Sequence, residues 1–236
     1  MCTKQMIAGL HAVVNEMKKT FGLQKVRILD VPCGDMVWMS RFLKARDDVD
    51  YTGFDIVPDL IEHHRLTYAD QPWTFRTVDI VTDTSFVNSF DLIVSRFMML
   101  HLDSSAIISI LQKLSTETRH PSFLFATTFS HIDINREVKT WVRGRGRSLN
   151  LEIAPYRLEP PLCIIRDGYL RPEAYMGLWR LPLMTIPESL CSKPAKFSTS
   201  LSKKKIVSCV NWQLPAHARN TSLKINGQNS GPKPIR

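Results

Sequence analysis

The sequence predicts an α/β protein built on an open, mostly parallel sheet, with helices on both faces and an antiparallel hairpin at one edge. Three observations predict it. Five short apolar runs, at residues 26–31, 49–55, 73–78, 90–95 and 122–128, are separated by stretches of helical or helix-length spacing, which implies parallel strands joined by right-handed crossovers. The first run is almost wholly apolar, as a strand covered on both faces must be. Two later runs, 162–166 and 175–181, are joined by Asp167-Gly168 and a loop too short for a crossover helix, so they pair antiparallel.

Taken in order, Met6, Leu10, Val13, Val14, Met17 and Phe21 recur at helical spacing, predicting a helix over residues 3–20 that ends near Gly22. Trp38, Met39, Phe42 and Leu43 share one face of a second helix over 36–46. There the Trp38 ring fits as helix-to-sheet packing. Pro58 opens a third helix running through 59–68, whose His63 and His64 have polar neighbours and read as solvated. Ser104 caps a fourth helix, with Ile107, Ile108, Leu111 and Leu114 turned to the sheet. Residues 131–160 form a long irregular connection rich in Arg, Pro and Asn, at the strand ends where open α/β sheets bind ligands.

The apolar fraction of 44% over 236 residues fills one substantial core. The expected organisation is one domain over residues 1–190 with a tail over 191–236. That tail holds nine Lys/Arg and no Asp or Glu, so the other 190 residues carry 22 basic and 22 acidic groups and are formally neutral. A neutral body argues against a nucleic-acid partner for the folded domain, and the tail's Ser, Lys, Asn, Pro and Gly content reads as a disordered end. Five cysteines include no Cys-x-x-Cys pair and no zinc spacing with His, so thiols and no metal are expected. Met1-Cys2-Thr3-Lys4-Gln5 has no signal-peptide character, and no apolar run approaches the roughly 20 residues of a membrane span. The expected location is the cytoplasm.

The chemistry concentrates at two tracts. Ile28-Leu29-Asp30-Val31-Pro32-Cys33-Gly34-Asp35 ends a strand in a carboxylate and a glycine turn, and Gly53-Phe54-Asp55 ends the next strand in a second carboxylate. A backbone turn at Gly34 permits close approach to a ligand, and Asp55 lies 21 residues beyond it, about the separation of an acid that bonds the ribose of an adenosine cofactor. The Gly-x-Gly-x-x-Gly fingerprint for dinucleotides is missing, and Asp35 would repel a pyrophosphate. Asp30 and Asp35 favour instead a cationic sulfonium and ammonium. This charge logic selects S-adenosylmethionine over NAD.

On these tracts, with Val78-Asp79-Ile80 and Phe90-Asp91-Leu92-Ile93-Val94-Ser95, the chain resembles the class I S-adenosylmethionine-dependent methyltransferases over roughly residues 20–183. The resemblance implies a Rossmann-like seven-stranded sheet whose last two strands form the antiparallel hairpin. It also implies that Asp30 and the Cys33-Gly34 backbone hold the methionine part, that Asp55 takes the ribose, that Ile56 covers the adenine, and that Asp79 with Ile80 meets the adenine edge. More narrowly, the tracts 35–39, 55–61 and 96–102, with Asn135, Trp141, Arg147, Asn150 and Pro155, resemble a little-characterised, mostly bacterial subgroup. That subgroup tends to have Asp after the Arg of the fourth-strand tract, where this chain has Phe97.

The expected reaction is in-line methyl transfer from S-adenosylmethionine to an unidentified acceptor, a small molecule being favoured over a protein. Such a transfer needs alignment and exclusion of water, with no metal or nucleophilic side chain. His101 is the candidate general base and Arg96 its catalytic companion. Asn135, Trp141, Arg147 and Asn150 are candidate acceptor contacts. Ser95-Arg96-Phe97-Met98 stands where some DNA- and amide-methylating enzymes carry an Asn/Asp-Pro-Pro-Tyr/Phe tetrad, which disfavours those substrates. The alternative reading is a catalytically inactive protein of the same fold that binds the cofactor or a partner, with Phe97 marking the lost position.

Overall fold

The computed structural model describes residues 3–83, 89–116, 122–137, 146–167 and 174–183. The expected tail and Trp141 lie outside them. Element order is α1 (Thr3–Phe21), β1 (Val26–Asp30), α2 (Met39–Leu43), β2 (Val49–Asp55), α3 (Pro58–Thr67), β3 (Thr74–Thr77), β4 (Leu92–Ser95), α4 (Ser104–Thr116), β5 (Ser122–Thr128), β6 (Cys163–Arg166) and β7 (Tyr175–Leu181). The strands form one seven-stranded sheet ordered β3-β2-β1-β4-β5-β7-β6. Its first five strands pair in parallel, and β7 runs antiparallel to both β5 and β6. Strand order reverses direction at β1, between β2 and β4, which places a crevice beyond the carboxyl ends of those strands.

Alternation along the strands sorts side chains into two cores. Ile28, Val94, Phe123, Phe125 and Leu178 face α1 and α2, whereas Leu29, Ile93, Leu124 and Trp179 face α4. Met6, Leu10, Val13, Val14 and Met17 of α1 are all buried, and each contributes about 1.5–3 kcal/mol by leaving water. Helix α1 thus lies across the sheet before β1 begins.

Three local expectations need correction. The second helix is confined to Met39–Leu43, because Met36 takes φ +59°, a left-handed conformation that cannot sit inside a right-handed helix. The cap of α4 is Asp103, whose Oδ1 accepts from Ala106 N and Ser105 Oγ, each at 2.7 Å, while Ser104 binds Glu137 instead. Asp and Ser are near-equal caps, so the sequence alone could not choose between neighbours. The all-thiol expectation fails at Cys163, which is disulfide-bonded; Cys33 is a free, buried thiol. Pairing depends on Cβ approach in the fold, which spacing does not reveal. No described helix is long and apolar enough to cross a membrane.

Candidate functional site

The ends of β1 and β2 build the most specific part of the crevice. Asp30 pairs in register with Gly53. A Cβ at Gly53 would sit 2.9 Å from the Tyr51 hydroxyl and 3.0 Å from Cys33 Cβ, so only glycine lets Tyr51 pass beneath the turn. Tyr51 Oη donates to Asp30 Oδ2 at 3.1 Å. The other oxygen, Asp30 Oδ1, is buried with no hydrogen-bond partner. Burial pushes the Asp30 carboxyl up to about 8, opposed by the Tyr51 hydrogen bond and the Arg96 charge. A buried carboxylate with an unfilled acceptor is suited to a cationic group.

After β1 the chain turns sharply. Val31 N bonds Val94 O and Cys33 N bonds Phe54 O, both at 2.8 Å, which pins the turn to strands on either side. Gly34 takes φ +54° with nothing within 4 Å of where a Cβ would stand. The turn therefore opens onto space that a ligand, not a side chain, is shaped to fill. Gly34 N donates to Asp55 Oδ2 at 3.2 Å and Val57 N to Asp55 Oδ1 at 3.1 Å, leaving further lone pairs on a carboxylate at the crevice. Burial, reinforced by Asp30 and Asp55, raises the Cys33 thiol far above its usual range and removes it as a nucleophile.

The remaining candidates on this side fall into place unevenly. Ile56 is 62% exposed, a large apolar side chain left bare at the end of β2. Asp35 is exposed and caps its own turn through Val37 N. Asp79 likewise accepts from Val81 N at 2.9 Å, and Ile80 is buried in the core facing α4. His64 corrects the expectation of solvation: it is 2% exposed, and its Nε2 meets Gly34 O at 2.6 Å. The helix-start residues Val57 and Pro58 set the α3 phase that turns His64 inward, a consequence of tertiary docking that its polar neighbours do not disclose.

At the ends of β4 and β5, Arg96 makes a bidentate pair with buried Asp167, at 2.7 and 3.0 Å. Its guanidinium also stacks near the Trp38 and Phe97 rings. Trp38 is buried in the core as expected, although it stands one residue before α2. Phe97 takes φ +59° and donates its N–H to Thr127 Oγ1. His101, on the short 3-10 turn Met99–His101, is exposed, and partial desolvation lowers its pKa, keeping the imidazole neutral and able to accept a proton.

Residues 131–134, 136 and 146–148 line an open cleft of about 610 Å³. Arg147 N bonds Leu100 O, and a Cβ on Gly146 would lie 3.1 Å from His101 Cε1, so this segment lies against the β4 turn. Arg147 Nη2 donates to Tyr156 Oη at 3.2 Å; its Nε and Nη1 are buried without partners. The amides of Asn135 and Asn150 bond loop backbone: Asn135 Nδ2 reaches Asn150 O and Ala154 O, and Asn150 Nδ2 reaches Ile132 O. The structure thus brings together Asn135 and Asn150, and separately His101 and Arg147. Asp167 and Tyr51 are site-forming residues that carried no sequence signal, because their roles depend on partners far along the chain.

Residues 28–119 match the methyltransferase domain family. No curated protein matches the chain. Among solved structures, the N-methyltransferase NodS from Bradyrhizobium japonicum WM9 is 12% identical, with 75% of this chain and 98% of that one covered and a TM-score of 0.49. PKMT2 from Rickettsia typhi is 21% identical over 52% of this chain and 25% of its own, with a TM-score of 0.43. The plantazolicin methyltransferase BpumL, solved with a triazolic desmethylPZN analog and SAH, is 20% identical over 52% and 46%, with a TM-score of 0.42.

Proposed function

We propose, from the match of residues 28–119 to the methyltransferase domain family, that this protein moves a methyl group from S-adenosylmethionine to an acceptor bearing an anionic group. The observation that carries the reading is the crevice at β1 and β2, where a buried carboxylate oxygen without a partner stands beside a glycine turn open to a ligand. Those residues fit the cofactor. Asp30 would hold its ammonium, the Cys33-Gly34 backbone its methionine part, Asp55 the ribose hydroxyls and Ile56 one face of the adenine, with Asp79 and Ile80 at the adenine edge. Asp35, exposed at the rim, adds negative potential toward a cation.

When bound, S-adenosylmethionine supplies an already activated methyl, so the chain's own work is to bind, align and exclude water. His101, neutral at physiological pH, takes the proton released by an N–H or O–H acceptor. Arg147, with Nε and Nη1 unpartnered, receives a carboxylate or phosphate on that acceptor through its planar fork. Arg96 acts through its pair with Asp167, holding the Phe97 and Trp38 rings at the wall between the half-sites. Asn135 and Asn150 shape the loop that carries Arg147. A small-molecule acceptor suits the volume of the cleft, about 610 Å³.

The alternative, cofactor binding without turnover, rests on Phe97: the tract after β4 offers an aromatic ring in place of a carboxylate. Calorimetric binding of S-adenosylmethionine, followed by methyl-label transfer to a panel of carboxylated and phosphorylated small molecules, separates the readings. Binding with transfer supports the enzyme. Binding without transfer to any of the panel supports the inactive protein, and failure to bind overturns the enzyme and the cofactor-binding alternative, leaving the inactive protein that binds a partner.

A further inference from the structure

His64 is out of place as core filling. It is 2% exposed and lies among rings, with Phe75 at 5.2 Å, His63 at 5.9 Å and Tyr68 at 6.0 Å between centroids. A phenylalanine would occupy that space without leaving a buried polar atom unsatisfied, whereas His64 leaves Nδ1 with no partner. Burying an imidazole costs free energy unless its hydrogen bonds are remade. The one it makes, Nε2 to Gly34 O at 2.6 Å, goes to the turn that opens onto the crevice. Because a carbonyl oxygen only accepts, Nε2 carries the proton shared with Gly34 O.

We propose that His64 is a positioning residue for the cofactor turn, locking the Gly34 peptide in the orientation that binds S-adenosylmethionine. The proposal rests on the cofactor reading above. In a trans peptide the carbonyl and the next N–H point in opposite directions. Holding Gly34 O toward α3 therefore turns the Asp35 N–H away from α3. Glycine at φ +54° has no side chain to restrain this peptide, and its freedom is large unless a partner removes it. The same helix start binds Asp55 through Val57 N, and Asp55 in turn accepts Gly34 N–H. Helix α3 thus grips the turn at both ends of one residue, through His64 at the carbonyl and through Asp55 at the N–H. A turn held in its bound shape does not spend binding free energy on ordering.

The test compares His64→Phe, which keeps the ring and removes the donor, with His64→Gln, which restores an N–H donor at similar reach. Binding of S-adenosylhomocysteine is measured by calorimetry, and hydrogen exchange at the Gly34 and Asp35 amides is followed in the ligand-free protein. The expected results are a roughly tenfold loss of affinity in His64→Phe, the equivalent of one charge-neutral hydrogen bond's worth of ordering, faster exchange at both amides, and recovery to within about threefold in His64→Gln. Unchanged affinity in folded His64→Phe overturns the proposal, as does equal loss in both variants. If His64→Phe does not fold, His64→Gln alone decides: affinity within threefold of wild type with unchanged amide exchange supports the role, and a tenfold loss refutes it. Wild-type protein that fails to bind the probe at all overturns the cofactor reading itself, a result distinct from either.

Discussion

The two halves of the crevice are built on opposite plans. At β1 and β2 the polar groups are held in place yet left with capacity: Asp30 Oδ1 has no partner, Asp55 is oriented by two N–H groups with lone pairs remaining, and Gly34 faces empty space. At β4, β5 and the loop beyond, most polar groups are consumed by the protein. Arg96 is paired with Asp167, and the side-chain amides of Asn135 and Asn150 bond backbone. Among the described residues the exceptions are Arg147, whose Nε and Nη1 have no partner, and the hydroxyls of Ser95 and Ser130. The first half is a preorganised receptor, and the second is a braced wall whose cleft is lined by the cationic side chains of Arg136 and Arg147. Substitutions in the first should therefore read out in cofactor affinity, and those in the second in turnover.

The largest expected effect is at the turn. Gly34→Val places a β-branched residue at φ +54°, where strain costs about 1–3 kcal/mol, and puts its side chain into the ligand's space. Cofactor binding should fall below detection while the far-ultraviolet circular dichroism stays unchanged, since no protein atom lies within 4 Å of the new Cβ. Retained binding would move the receptor away from this turn.

Asp55→Ala should follow, weakening S-adenosylmethionine by about 1–3 kcal/mol through loss of a charge-assisted acceptor. It also frees the Gly34 and Val57 N–H groups, so a modest fall in thermal midpoint is expected beside the calorimetric loss. Equal affinity in a folded mutant would break the contrast between the halves.

A pH dependence comes next. Asp30 titrates at 3.8 in its unperturbed state and at about 8 in the ligand-free fold. Between those values the folded protein holds a proton that the unfolded chain has released. Its contribution to stability is thus full below about 4 and is lost as pH rises through about 8. Cofactor affinity runs the opposite way, because an ammonium needs the ionised carboxylate. Between pH 6 and 7 it should tighten by up to about tenfold, a range below the ligand's own α-amino titration near 8. Asp30→Asn should abolish the slope, and a slope that survives the substitution assigns the proton elsewhere.

The smallest effect on the cofactor is expected from the wall. Arg147→Ala should leave S-adenosylmethionine affinity within about 0.5 kcal/mol and lower turnover of any acceptor that carries a carboxylate or phosphate. A mutant that loses cofactor and keeps acceptor binding would reverse the two half-sites.

Much of the frame was legible because it rests on periodicity, which is local. The alternation of strands and helices, the hairpin between 163 and 181, and the pairing of Gly34 with Asp55 are all properties of neighbouring residues or of one βαβ unit, where spacing maps directly onto geometry. The seven-stranded sheet with its antiparallel β6-β7 end agrees with the sheet and hairpin that the resemblance implied, and its order 3-2-1-4-5-7-6 comes from the structure. What stayed hidden involves partners far apart in the chain. Arg96 finds Asp167 71 residues away, Tyr51 reaches Asp30 across a strand, and His64 turns inward to a carbonyl 30 residues earlier. Composition placed His64 in solvent because its helix neighbours are polar, yet docking of α3 on β3 buried it.

By itself, then, the sequence determined the architecture and the location of the receptor turn, since strand ends, glycine turns and carboxylates are written in consecutive residues. Only the tertiary structure decided which of those polar groups remain available to a ligand. Availability is what is left after every donor and acceptor has found its partner, and those partners are chosen by packing of distant segments, not by spacing along the chain.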